Sequence, residues 1–500
     1  MMQVKYENTF LPHSGPAQAR LIETASNGGR EGEGRSGVLS PRDETPSVSL
    51  RSISEAEHIL PVIGEVEVLV CGGGPAGTAA AIAAARTGAK TLLVEQYGYL
   101  GGMSTAGLVT PHFDPFLNKG LNQELIERLI TRKAWGAPFW RITFDPEQLK
   151  MVSEDMVLES GSDLLYHTFA VAAILEDNRM RGAVIETKSG RFAVLAKVVI
   201  DCTGDGDIAA RAGAPFEKGR PGDHLLQPMT MMFRMGGLQW VQTNGTQLLS
   251  LVQKAIEATG EPFRLAFERP WAIHLPNPGE VAVQLVHIRG VDATDARDLT
   301  LAEIEGRRQT WAVVDFLVRH VPEFENAYLI ETAAQVGVRE SRRIMGDYLL
   351  TLDDVRKGRK FDDGIATVSF GVDIHDPVGK SQIGGGITGV YDIPYGCLVP
   401  RDIEGLLVAG RCISGTHEAH ASYRVKGPCV AMGQAAGTAA ALATRFDVLP
   451  RGLDASALRQ ELIRQGVELE ATERPNQDWS TDLNMDPDSE NEWEVSGKQA

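Results

Sequence analysis

The chain has 500 residues, 43% hydrophobic and 23% charged, an ordinary globular composition with room for more than one domain. Its formal charge of −17, part of it from the acidic stretch 481–494, argues against nucleic acid or an anionic membrane as partners. An anionic substrate would need a local basic pocket. The cysteines Cys71, Cys202, Cys397, Cys412 and Cys429 form no zinc pattern, no iron–sulfur quartet and no CxxC pair. They read as small buried hydrophobes in a reducing, cytoplasmic compartment.

Residues 1–58 are polar, with Ser26-Asn27-Gly28-Gly29 and Glu31-Gly32-Glu33-Gly34 among them, and read as a disordered leader. No apolar signal region opens the chain, and no run approaches the length of a membrane span. Residues 62–95 then read as strand, glycine turn, helix, strand and acid. In Val66-Glu67-Val68-Leu69-Val70-Cys71-Gly72-Gly73-Gly74-Pro75-Ala76-Gly77, Gly72 makes the sharp turn and Gly74 lets a pyrophosphate approach the backbone. Gly77 lets the following helix pack on the strand, and the helix N-terminus takes the phosphates. Glu95, closing the second strand, can take the hydroxyls of an adenosine ribose. This pattern by itself does not choose between NAD and FAD.

A glycine-rich loop at 97–107 follows, then helical patterns near 121–134 and 145–160. Residues 164–200 alternate as hairpins and return to a buried strand, Val198-Val199-Ile200-Asp201, which runs into the turn Thr203-Gly204-Asp205. Such a return from far along the chain is how a split nucleotide domain is built. Gly384-Gly385-Gly386-Ile387-Thr388-Gly389 matches the glycine formula, but Tyr391-Asp392-Ile393-Pro394 stands where a helix should begin, so it reads as a flexible loop. Leu406-Leu407-Val408 is another buried strand, 430–444 a tightly packed helix, and 455–465 a last helix. The expected organisation is a leader at 1–58, a nucleotide-binding part at 59–231, an inserted substrate domain at 232–394, the second nucleotide-binding part at 395–468, and an acidic, disordered tail at 469–500. The expected fold class is α/β, a split Rossmann-like domain carrying an inserted α+β domain.

Several ordered blocks carry a family resemblance over roughly 60–465: Gly72–Gly77, Leu100-Gly101-Gly102-Met103-Ser104-Thr105, Ile200-Asp201-Cys202-Thr203-Gly204-Asp205-Gly206-Asp207, Gln227-Pro228-Met229-Thr230, Gly337–Ile344, Asp373-Ile374-His375-Asp376-Pro377, and Val408–Ser414 through Met432–Gly437. The chain resembles the FAD-dependent oxidoreductases of the glutathione-reductase-like flavoprotein superfamily, distantly related to fumarate reductase and succinate dehydrogenase flavoproteins. The resemblance implies noncovalent FAD, since no histidine lies beside Leu100-Gly101-Gly102 and His112 is ten residues past Gly102. It implies cofactor contacts at Gly72, Gly74, Pro75, Ala76, Gly77, Glu95, Gly101, Gly102, Met103, Thr105, Ala170, Thr203, Gly204, Asp205, Gly410, Arg411, Met432, Gly433 and Ala436. Arg411 would partner the diphosphate, and the 427–437 segment would aim a helix N-terminus at the flavin. The chain departs from its relatives at Gly396 and at Arg424-Val425-Lys426-Gly427-Pro428, on the expected substrate side.

The chemistry expected of such a site is hydride transfer to the flavin with one proton managed by the protein. The candidates are His417 and His375, with Glu418 and His420 beside the former, and Arg424, Tyr423 and Arg339 for the substrate. Ordinary hydrogen bonds or ion pairs are the alternative at each, and for Arg342 and Arg343 the structural reading leads. His417 and His420 are three apart but lack a third ligand, so no metal is expected. Met229, Met231, Met232 and Met235 read as core. The leading expectation is dehydrogenation of a small polar organic substrate, with oxygen or a separate carrier as acceptor. Reduction of an activated double bond, and an FAD-loaded electron-transfer or binding subunit, stand as alternatives. A homo-oligomer is left open.

Overall fold

The computed structural model describes residues 59–473 except 138–139, 239–244, 261–262, 264–265, 267–269, 386 and 388. The leader and nearly all of the acidic tail lie outside the described residues.

Strand β1 (Val62–Cys71) turns through glycines into helix α1 (Pro75–Arg86) and returns as β2 (Thr91–Val94). Helices α2 (Leu121–Thr131) and α3 (Pro146–Glu159) follow, the latter started by Asp145, whose carboxylate accepts from the Glu147 and Gln148 amides. Next come β3 (Asp163–Leu165), β4 (Thr168–Glu176), β5 (Arg179–Thr187) and the long β6 (Gly190–Asp201). These strands form one sheet in the order β3-β2-β1-β6-β5-β4, parallel at the β3-β2-β1-β6 end and antiparallel through the β4–β6 meander.

A second layer begins with β7 (Phe233–Gly236), β8 (Trp271–His274) and β9 (Val281–Gln284), then helix α4 (Ala296–His320) and β10 (Tyr328–Thr332). Its strands pair antiparallel in the order β8-β9-β7-β10, around a core that includes Met231, Phe233, Val283 and Leu317. That core also takes Leu108, Ala137 and Trp140 from the first part of the chain, and it ends at Val338. Ile344, Val368, Ile374 and Tyr391, in the stretch expected to belong with the inserted domain, pack instead on the first core.

A hairpin of β11 (Val372–His375) and β12 (Gln382–Gly385) follows, with Asp373 opposite Gly384 and His375 opposite Gln382. Gly384 and Gly385, read from the sequence as loop, are therefore strand, and a Cβ on Gly384 would lie 1.9 Å from the Val372 carbonyl oxygen. The chain then re-enters the first sheet as β13 (Leu406–Val408), which pairs with the carboxyl half of β6. Helix α5 (His417–Tyr423) and the buried helix α6 (Lys426–Phe446) complete the layer.

Register is what makes the site. Cys71 pairs with Val94 and with Asp201, and Asp201 pairs with Val408. Four strands thus end level at their carboxyl ends, where open α/β sheets bind ligands. Helices α1 and α6 pack at backbone distance over these ends. A Cβ on Gly433 would lie 2.0 Å from the Ala76 oxygen, and one on Gly437 2.1 Å from that of Ala80. Among the described residues, no helix is long and apolar enough to cross a membrane.

Candidate active site

The level strand ends set Gly72–Gly77, Glu95, Thr203–Asp205 and Gly410–Arg411 side by side. Each departs from a different parallel strand. They form one wall of a cavity of about 430 Å³ whose other wall comes from the second layer and from the β11–β12 hairpin.

The fingerprint glycines do separate work. Gly72 has φ +100, and a Cβ there would lie 2.5 Å from the Cys202 carbonyl oxygen. A Cβ on Gly77 would lie 1.7 Å from the Gly72 oxygen, so nothing larger fits inside that turn. Gly74 faces open space, and its added Cβ would meet only the Gly102 Cα at 3.9 Å. Helix α1 begins right there with no side chain capping its N-terminus. A glycine cradle below uncapped helix amides fits a pyrophosphate. Glu95, buried, accepts from the Gly73 amide at 2.5 Å and the Tyr97 amide at 2.8 Å, one oxygen each. Each oxygen keeps a lone pair for a ribose hydroxyl. Burial pushes its carboxyl up against the pull of those amides. Observed on this chain's own backbone, the residues fit FAD.

Of the expected cofactor residues, Gly72, Gly74, Pro75, Ala76, Glu95, Gly102, Met103, Ala170, Thr203, Gly204, Asp205, Gly410 and Arg411 line the cavity. Gly77, Gly101, Thr105, Met432, Gly433 and Ala436 stand behind that wall. Thr105 donates to the Leu100 carbonyl at 2.7 Å and closes the loop that presents Gly102. Gly433 serves the α1–α6 contact, as the Cβ geometry above requires. The first turn of α6 does border the cavity, through Lys426 and Cys429. Arg411, expected on the diphosphate, spends its donors on protein: Gly204 O at 3.0 Å, Val338 O at 2.6 Å and Asp205 Oδ1 at 2.6 Å.

At the far end, His375, Arg339 and Arg424 line the cavity. Asp373 and His375 are two apart on β11 and so share a face. Arg424 donates to the Asp373 Oδ2 at 3.0 Å, and Gln382 donates to its Oδ1. The His375 Nε2 lies 3.4 Å from Asp373 Oδ1, and its Nδ1 lies 2.9 Å from the Nε2 of His287. Arg339 donates to the Pro228 carbonyl at 2.8 Å and the Thr230 hydroxyl at 2.5 Å. Burial, then the Arg339 charge, pushes His375 down to about 4, so its ring is neutral near pH 7. Burial and then Arg424 push Arg339 down to about 9. Burial would raise Asp373, but His375, Arg424 and Arg339 outweigh it and hold the carboxyl well below its usual range. Trp140 and Trp271, ring centroids 5.4 Å apart, with Ile273, Met232 and Phe370, make the apolar part of this end.

The structure places His417 and Tyr423 elsewhere. His417 Nδ1 lies 2.8 Å from Glu340 Oε1, which Arg343 also meets at 2.5 Å, and all three side chains are buried off the cavity. Tyr423 is fully buried behind Gly415 and donates to the Ile413 carbonyl at 2.9 Å. Asp373, Gln382, His287 and Lys426 were not singled out by sequence. The Asp-x-His alternation of a strand was a usable signal for Asp373; nothing local marks His287. Burial drives Lys426 well below the ordinary lysine range, and its amine donates to the Pro111 carbonyl at 2.8 Å and to that of Val109. Among the described residues, no group of acidic, histidine and cysteine side chains could hold a metal.

A family model described as "FAD dependent oxidoreductase" matches residues 67–462. Two curated relatives are thiamine thiazole synthases. The one from Aeropyrum pernix is 29% identical over 33% of this chain and 63% of its own length. The one from Methanococcus vannielii is 29% identical over 28% of this chain and 56% of its own length. The chain thus spans less than two thirds of these relatives. Among solved structures, a geranylgeranyl bacteriochlorophyll reductase-like protein from Thermoplasma acidophilum is 16% identical with a TM-score of 0.41, covering 81% of this chain and 82% of its own. The flavin-dependent brominase Bmp2 is 14% identical with a TM-score of 0.42, covering 80% and 83%.

Proposed function

The chain belongs to the FAD-dependent oxidoreductase family, and from that premise we propose that it dehydrogenates a small polar organic molecule, passing the electrons to oxygen or a separate carrier. FAD is its cofactor and, when bound, supplies the hydride acceptor. One observation carries the reading: a single cavity joins the glycine cradle to a neutral histidine held between a carboxylate and a second histidine.

The histidine pair supports a proton acceptor at this end of the cavity. His287 Nε2 and His375 Nδ1 face each other at 2.9 Å, so one of them carries the proton and the other accepts it, and each ring constrains the tautomer of the other. The His375 Nε2 faces the Asp373 carboxylate at 3.4 Å. A proton taken there lies beside the ionised Asp373, which stabilises the imidazolium. Asp373 is itself oriented by Arg424 and Gln382. Five buried free cysteines support a reducing, cytoplasmic setting.

The test is an anaerobic titration of the purified holoprotein with polar alcohols, amines and acids. Bleaching of the flavin band near about 450 nm by one compound is the expected result. A flavin that none of them reduces, but that dithionite reduces and an enoate reoxidises, replaces this reading with double-bond reduction.

A further inference from the structure

We propose that the far end of the cavity is a carboxylate subsite, in which Arg339 and Arg424 receive the anionic head of the compound that is oxidised. The inference rests on the dehydrogenase reading for the identity of that compound, but not for the existence of the subsite.

Charge counting at this end leaves a surplus. Arg339 bonds only neutral oxygens, those of Pro228 and Thr230, and among the described residues it forms no ion pair. Arg424 is paired with Asp373 at 3.0 Å, yet its Nε is buried with no partner. Among the described residues Asp373 is the one carboxylate lining this end, and its oxygens are already taken by Gln382, His375 and Arg424. The protein groups lining this end therefore leave one half-buried guanidinium without an ion partner among the described residues, an arrangement that favours an anion beside it. Burial, and then the Arg424 charge, depress the proton affinity of Arg339.

Arg411 provides the contrast. It lines the same cavity, but all three of its donor groups are occupied and its charge is matched by Asp205 at 2.6 Å. The diphosphate of the cofactor already has the uncapped start of α1 and the Gly74 cradle. Arg339 instead is anchored on the Pro228–Thr230 edge of the second layer. A planar guanidinium fork matches a carboxylate in two parallel hydrogen bonds. Trp140, Trp271, Ile273 and Met232 would cover the apolar body of such an acid. With a formal charge of −17, the protein as a whole repels anions, so recognition of one has to be local.

The experiment uses the full-length holoprotein and three matched probe pairs: acetate with acetamide, propionate with propionamide, benzoate with benzamide. Binding is read from perturbation of the visible flavin band. The expected result is that at least one acid binds about tenfold or more tightly than its amide. Arg339→Gln then abolishes the preference with FAD content unchanged, while Arg339→Lys keeps part of it. Equal affinity within all three pairs overturns the proposal, and so does a preference that survives Arg339→Gln. Loss of FAD from Arg339→Gln also overturns it, by assigning Arg339 to the cofactor. Inorganic phosphate matching the best acid replaces the carboxylate with a phosphoryl group. Should Arg339→Gln fail to fold, the wild-type pairs decide, with Arg424→Gln as second variant. An acid preference in a protein whose flavin no compound bleaches leaves the subsite standing and removes the dehydrogenase reading.

Discussion

At the fingerprint end the cavity wall is built around backbone at Gly72, Gly74, Gly102, Gly204 and Gly410, with the acids Glu95, Asp205 and Asp207 beside it. At the far end it is side chains, charged and aromatic, gathered from five separated stretches around 140, 230, 271, 339 and 373–382, with Arg424 joining from the end of α5. The first wall comes from adjacent positions on strands whose register is level, so it needs little beyond local geometry. The second exists only once two cores have packed. A backbone wall suits a cofactor that every turnover shares. A wall of side chains can be changed one residue at a time.

The comparison breaks most completely at Gly77. Gly77→Val puts branched carbon where even a Cβ lies 1.7 Å from the Gly72 oxygen, so the turn cannot close. The expected outcome is protein without flavin absorbance after purification, or none in the soluble fraction. Next is the network behind the wall. Glu340→Ala strands Arg343 and His417 without their shared carboxylate, and breaking a buried pair of this kind costs about 3–5 kcal/mol. Urea unfolding of the variant measures it, with FAD content as the check that the fingerprint end is undisturbed.

At the far end the effect should fall on rate. Once a reducing substrate is in hand, His375→Asn should slow flavin reduction by about a hundredfold or more with FAD retained, read by anaerobic stopped flow. His287→Phe should act on the same step by releasing the His375 tautomer, and a shift in the pH profile separates this from simple misfolding. The smallest effect is on stability with pH. His375 at about 4 and His112 at about 3 both lie below the ordinary 6.5. Above pH 6.5 neither folded nor unfolded chain holds these protons, and the stability is complete. Between there and about pH 4 only the unfolded chain binds them, so stability falls as pH falls, by up to about 1.4 kcal/mol per unit for each group. Urea midpoints at pH 7 and pH 5 should differ, and His112→Asn should narrow the gap.

The fingerprint, the returning strand at 198–201 and the strand at 406–408 were legible because each is a local pattern: a glycine spacing, a run of β-branched residues, a turn. Gly74 and Glu95 could be given physical roles before any coordinates, since their neighbours in sequence are their neighbours in space. His375 and His287 are 88 residues apart and meet only across two layers. His417 follows a cofactor strand, yet it faces Glu340, 77 residues away, because α5 presents that side to the core rather than to the cavity. Gly433 carries the composition of a cofactor helix, but its missing side chain admits the α1 backbone.

By itself, the sequence determined that β1, the glycine turn, α1 and the acid of β2 form a dinucleotide site, because helix dipole, glycine sterics and strand alternation act within a few residues. Only the tertiary structure decided which charged side chains share the cavity, and that among the described residues Arg411 has an ion partner while Arg339 has none. Charge compensation depends on distances between elements far apart in the chain, and packing sets those distances.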